Sequence, residues 1–137
     1  MANVINQSAL NSSIWPTSAT WNVKSDELVI GGLSASDLVS KHGTPVFVLD
    51  EKDFRTRARI FRDAMSKYFG KESKVFYASK AFTSIATAKW LAEDGLNLDV
   101  CTGGELAVAL AALRLAPYAD GPVAKLASLF ALTSLKS

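Results

Sequence analysis

Residues 75–101, Val75-Phe76-Tyr77-Ala78-Ser79-Lys80-Ala81-Phe82 running on to Leu96-Asn97-Leu98-Asp99-Val100-Cys101, hold the alternation that decides the fold. Val75 to Ala78 is an apolar run of strand length. Thr83 to Asp94 has helical patterning and closes at Gly95, and Leu96 to Cys101 is a second apolar strand candidate. A strand, a helix and another strand in this order give a parallel pair with a crossover helix. Both strands are nearly continuous in apolar residues, as a parallel sheet covered on both faces requires.

The same alternation continues in both directions. Upstream, Pro45-Val46-Phe47-Val48-Leu49 reads as a further strand, with Asp50 capping the helix after it, Asp53 at the capping-box position and Gly70 as its stop. Phe54, Ala58, Phe61, Met65 and Tyr68 recur at helical spacing and predict one apolar face on that helix. Downstream a helix starts at about Gly103. Three strand candidates alternating with three helix candidates predict a parallel α/β fold. Before this core, residues 1 to about 25 read as a polar arm with one short strand, in which Trp15-Pro16 and Trp21 suggest docking. Glu27-Leu28-Val29-Ile30 reads as a strand turning at Gly31-Gly32, and Ser34 to Lys41 as a short helix ending near Gly43.

Composition narrows the function classes. The 137 residues suffice for one domain with a core, and 49% hydrophobic with 20% charged residues is globular composition. A net charge of +2, with Arg55, Arg57, Arg59 and Arg62 spread along one helix, gives no basic patch for nucleic acid or an anionic membrane. Cys101 is the only cysteine, so no internal disulfide forms, and His42 is the only histidine, so no His-rich metal site is expected. The N-terminal MANVINQSAL has neither the basic nor the long apolar part of a signal peptide, and no apolar run reaches transmembrane length. These features predict a soluble cytoplasmic protein.

Lys80 is the first reactive candidate, since the C-terminal edge of a parallel sheet is where ligands collect. A partly desolvated lysine there can lose its proton and attack a carbonyl. The alternative is a solvated lysine opening the next helix. Asp99 ends the next strand, which places it at the same edge, either pairing with the lysine or making local turn bonds. Thr102-Gly103-Gly104-Glu105 is an S/T-x-x-E capping box, in which Glu105 satisfies a backbone N–H. The other reading uses the two glycines for close approach of a ligand to a helix N-terminus. Tyr77 reads as wall packing and His42 as a helix-end residue. Ser79 and Cys101 have no visible histidine partner for nucleophilic catalysis.

Three blocks carry a resemblance: Lys41-His42-Gly43-Thr44-Pro45-Val46-Phe47-Val48-Leu49-Asp50, then Tyr77-Ala78-Ser79-Lys80-Ala81, then Leu98-Asp99-Val100-Cys101-Thr102-Gly103-Gly104-Glu105-Leu106. In order and spacing they resemble the N-terminal part of the barrel-type pyridoxal-phosphate decarboxylases for ornithine, arginine and diaminopimelate. The resemblance is to the diaminopimelate branch and to actinobacterial sequences in particular. It covers about residues 13 to 112, and Trp15-Pro16 fits the arm of that branch. It implies a (β/α)8 barrel of the TIM type, present here as about three βα units behind an N-terminal arm. By the same resemblance Lys80 is the Schiff-base residue holding pyridoxal 5′-phosphate, Asp99 lies beside the cofactor, and Glu105 is a cofactor-side or capping residue. The implied reaction is decarboxylation of meso-diaminopimelate to L-lysine and CO₂ in lysine biosynthesis, by an enzyme that is a homodimer at full length.

The chain therefore divides into an arm with a short strand and helix (1–43), the start of the barrel (44–112) and a divergent tail (113–137). A barrel of this type needs roughly 250 residues. The resemblance leaves without counterpart the glycine-rich phosphate loop, the glutamate facing the pyridine nitrogen, the histidine stacked on the ring, the substrate-binding residues and the C-terminal β-domain. From Leu113 the sequence is Ala/Leu-rich, broken by Pro117 and Pro122, with a helix candidate over 123–135, and is read as a reading-frame change or truncation. The expectation is an enzyme of this family with negligible activity as an isolated piece. The alternatives are a non-catalytic fragment or interaction module with an open sheet edge, or the same fold and cofactor with another amino-acid substrate.

Overall fold

The computed structural model describes residue 10 and residues 14–114. By packing, the chain forms two compact units, Met1–Thr56 and Arg57–Ser137.

The first unit is built on an antiparallel sheet of order β1-β2-β3, with β1 at Thr20–Asn22, β2 at Glu27–Ile30 and β3 at Leu33–Ser34. Thr20 stands opposite Val29, and Ile30 opposite Leu33. Gly31 and Gly32 both take positive φ, 59° and 83°, the combination that a two-residue hairpin with native twist demands. That geometry explains β3, which was not expected: Leu33 completes a hairpin instead of joining the helix. Helix α1, Ala35–His42, starts at once, with the Ser34 hydroxyl accepting from Asp37 N at 3.1 Å. The Glu27 carboxylate reaches across from β2 and accepts from Ser36 N at 3.3 Å and Ser36 Oγ at 2.5 Å. Gly43 ends the helix at φ 75° with His42 as its last residue, the position predicted for it.

Thr17 and Ser18 tie the described part of the arm to the rest of the first unit. Thr17 N donates to Asp53 Oδ1 at 2.9 Å, and Ser18 Oγ donates to Asp50 Oδ2 while accepting from Gly31 N at 2.9 Å. Both carboxylates stand at the start of α2, Glu51–Phe69, where Asp50 Oδ1 also accepts from Asp53 N at 3.0 Å. Asp50 is thus the expected cap, and Asp53 turns its carboxylate to the arm.

One expected strand is not formed. Residues 45–49 are in no ladder, and Phe47 is fully exposed. A strand exists by pairing, and among the described residues nothing pairs with this segment. The three βα units of the sequence reading therefore reduce to two parallel strands. The apolar face of α2 is covered only in part: Phe54, Ala58 and Met65 are half-buried, whereas Phe61 and Tyr68 are 66% and 71% exposed.

The second unit contains the strand–helix–strand that opened the sequence reading. Strand β4, Phe76–Ala78, leads through a 3₁₀ turn, Ser79–Ala81, to α3, Ile85–Glu93, then β5, Asn97–Asp99, and α4, Gly103–Arg114. β4 and β5 are parallel, with Phe76 opposite Asn97 and Ala78 opposite Asp99. α3 packs on α4 and β5, and the buried apolar residues among those described are Ala88 and Leu91 of α3, Leu96, and Ala112 of α4. Asp94 at the end of α3 is buried and held by α2, with Arg59 Nε 3.2 Å from its carboxylate and Arg62 Nη1 donating to its carbonyl at 2.6 Å. The helix candidate over 123–135 and the reading-frame change placed near 113 fall on the tail, which lies outside the described residues beyond Arg114. Among the described residues no helix is long and apolar enough to cross a membrane.

Candidate functional site

Every residue of the candidate site lies in the second unit. Lys80 sits in the middle of the turn that follows β4 and is exposed to solvent. This differs from the desolvated amine considered from sequence: three strand residues and one turn leave the side chain in water. Asp99 is the last residue of β5 and also exposed. Because Ala78 is the register partner of Asp99 and Lys80 follows Ala78 by two residues, both come to the C-terminal edge of the same parallel pair. No ion pair joins them among the described residues.

Glu105 is held by the local chain. Its backbone N donates to Thr102 Oγ1 at 3.2 Å, which is the expected half of the capping box. Its carboxylate accepts from Cys101 N at 2.8 Å, one residue before the Thr102 N–H of the standard box. Glu105 therefore ties the exit of β5 to the first turn of α4, and its negative charge suits a helix N-terminus. Beside it, a Cβ added at Gly103 would meet nothing within 4 Å, so the backbone there is open to approach.

Under the lysine the turn is anchored. Ser79 is 2% exposed, and its Oγ has no hydrogen-bond partner. Its carbonyl accepts from Thr83 Oγ1 at 2.5 Å, and the Phe82 carbonyl accepts from Tyr77 Oη at 3.0 Å. Burial pushes the pKa of the Tyr77 hydroxyl above its ordinary value, and the bond to Phe82 pulls the other way without cancelling it. Wall packing was therefore an incomplete account of Tyr77, and Thr83, read as the first residue of the helix, instead lies before its Ser84 cap and bonds back to the turn. The signal that could have found them is the spacing: residues 77 and 83 flank Lys80 by three on either side, and both carry hydroxyls. Immediately beyond, Ser84 and Thr87 form a reciprocal capping box, with Thr87 N donating to Ser84 Oγ at 3.1 Å and Ser84 N to Thr87 Oγ1 at 2.9 Å.

Such an edge offers a primary amine, a carboxylate on the neighbouring strand and an open helix start. That donor set suits an aldehyde carrying an anionic group. Among the described residues no three His, Cys, Asp or Glu side chains group as metal ligands.

Comparison with known proteins gives the family that the chain resembles. Residues 51–117 match the family model described as pyridoxal-dependent decarboxylase, pyridoxal binding domain. The chain is 46% identical over 101 residues to the diaminopimelate decarboxylase of Mycobacterium bovis, covering 74% of this chain and 22% of that protein. It is 47% identical over 104 residues to the enzyme of the same name from Mycobacterium leprae, covering 74% and 20%. To that of Synechocystis it is 36% identical over 115 residues, covering 84% and 24%. The chain thus spans about a fifth of the length of the relatives it matches, and what it resembles is the N-terminal portion of a pyridoxal-dependent decarboxylase.

Proposed function

We propose that this chain carries the cofactor-anchoring portion of a cytoplasmic diaminopimelate decarboxylase, an enzyme converting meso-2,6-diaminopimelate to L-lysine and CO₂. The observation that carries the reading is the parallel register of β4 and β5, with Lys80 and Asp99 at one edge. It agrees with the pyridoxal binding domain matched over the same residues.

In this reading Lys80 binds pyridoxal 5′-phosphate through Nζ, and its exposure leaves the amine open to an incoming aldehyde. Asp99 places a negative charge at the same strand edge as the amine, and Glu105 ties the exit of β5 to the first turn of α4. When bound, the cofactor supplies the electron sink that takes up the pair left by departing CO₂. The remaining catalytic groups come from parts of the family fold that these residues do not include, and the homodimer is a proposal on the same footing.

The test uses the chain itself. It is incubated with pyridoxal phosphate and treated with borohydride. Nζ adds to the aldehyde carbon, water leaves, and hydride fixes the bond as a secondary amine. A stable adduct mapping to Lys80 by peptide mass, absent in Lys80→Ala and weakened in Asp99→Asn, is expected. Labelling spread evenly over all the lysines would overturn the proposal. Release of CO₂ from meso-diaminopimelate by this chain alone is expected to be negligible, because transition-state stabilisation needs groups it lacks.

A further inference from the structure

Two side chains outside the proposed chemistry hold the backbone on both sides of Lys80. Strand β4 is fixed by its ladder to β5, and α3 by the Ser84–Thr87 box. Between them lies a 3₁₀ turn of three residues that exits into extended backbone, with Phe82 at φ −171° and ψ 130°. Such a turn is too short to orient a side chain through its own hydrogen bonds. The carbonyls of its first residue and of the residue after it, Ser79 O and Phe82 O, are taken by Thr83 Oγ1 at 2.5 Å and by Tyr77 Oη at 3.0 Å. One bond reaches back from the residue before the cap of the next helix and the other reaches forward from the strand, so both span Lys80 along the chain. Ser79, the first residue of the turn, is itself buried.

We infer that Tyr77 and Thr83 are positioning residues for Lys80, clamping its turn so that the amine meets a docked aldehyde in one orientation. The inference rests on the reading of Lys80 as the cofactor's anchor. A clamp of this kind affects reaction with a ligand that is itself held in place, since orientation then contributes to the rate. It leaves untouched the reaction with a small aldehyde arriving from any direction.

The experiment compares wild type, Tyr77→Phe, Thr83→Val and Thr83→Ser. Each is trapped with pyridoxal phosphate and borohydride, and separately methylated with formaldehyde and cyanoborohydride, with every lysine quantified by mass spectrometry. Tyr77→Phe and Thr83→Val are expected to slow pyridoxal phosphate trapping at Lys80 about tenfold. Formaldehyde labelling of Lys80 relative to Lys71, Lys74 and Lys89 should stay unchanged, and Thr83→Ser should restore trapping. Amide exchange should rise over 79–83 and hold steady in α3, which separates a loosened turn from an unfolded chain. Equal trapping in all four proteins, or equal slowing with both aldehydes, would overturn the clamp while leaving the anchor standing. Absence of trapping at Lys80 in wild type would remove the anchor and the clamp together.

Discussion

At the scale of single residues, two side chains, one in each unit, carry measurable consequences. Ser79 Oγ is buried with no partner, and leaving a hydroxyl in that state costs about 1–3 kcal/mol. Ser79→Ala removes the orphan without changing the backbone, so the variant should be more stable than wild type by about 1 kcal/mol in urea unfolding. A lower midpoint would mean that the hydroxyl has a partner in solution. Asp50 gives a prediction with a pH sign. Its carboxylate accepts from Ser18 Oγ and from Asp53 N, and these bonds hold its pKa below the ordinary aspartate value, against an opposing push from burial and the neighbouring Asp53 charge. A depressed folded-state value means that the stabilisation is complete above the unfolded value, about pH 4, and is lost as pH falls through the lower folded value. Asp50→Asn keeps a good helix cap without titrating. Wild type should therefore lose more thermal stability than Asp50→Asn on going from pH 5 to pH 3, as read by circular dichroism melts. Parallel curves would show that the arm's hold on Asp50 contributes nothing.

Elements are tied to one another by charge as much as by apolar packing. Arg62 on α2 donates to the Asp94 carbonyl at the end of α3, and Arg59 lies against the Asp94 carboxylate. A guanidinium at a helix C-terminus satisfies an orphan carbonyl and favours the helix dipole. Arg62→Ala should destabilise the chain by about 1 kcal/mol, with faster amide exchange concentrated at 91–95. Unchanged exchange there would place the arginine's contribution elsewhere. This tie explains part of what sequence reading could and could not see. The crossover unit from Val75 to Asp99 was legible, because apolar runs, Gly95 and the Thr102–Glu105 box are local signals. The caps of α1 and α2 were legible for the same reason. Residues 45–49 carry an equally strong strand pattern, yet pairing is a property of two segments and only one is in the described chain. The hairpin at Gly31-Gly32 pulled Leu33 into a strand through backbone geometry that hydrophobic pattern does not encode. At the site, Lys80 and Asp99 came from strand ends, whereas the Tyr77 and Thr83 bonds depend on a 3₁₀ turn whose path no propensity states.

For the molecule as a whole, the decisive quantity is apolar surface. Among the described residues, the buried apolar side chains are Ala88, Leu91, Leu96 and Ala112, two of them alanine. In the first unit Val46, Phe47, Val48 and Leu49 face solvent along a segment with unpaired backbone, and in the second Ile60, Phe61, Tyr68 and Phe69 do so along α2. Contiguous apolar surface of this kind marks a face that other protein covers, and an unpaired extended segment is a template for strand addition. The purified chain should accordingly self-associate, with a weight-average sedimentation coefficient that rises with concentration and falls with added urea well before the helices melt. Replacing Phe61 and Phe69 by Glu puts charge on the α2 face without touching its caps. That double variant should sediment more slowly than wild type at equal concentration, and a Phe47→Glu change should add to the effect through the separate extended segment. A wild-type chain that sediments as one species at all concentrations and unfolds in a single cooperative step would show instead that these side chains are covered within the monomer.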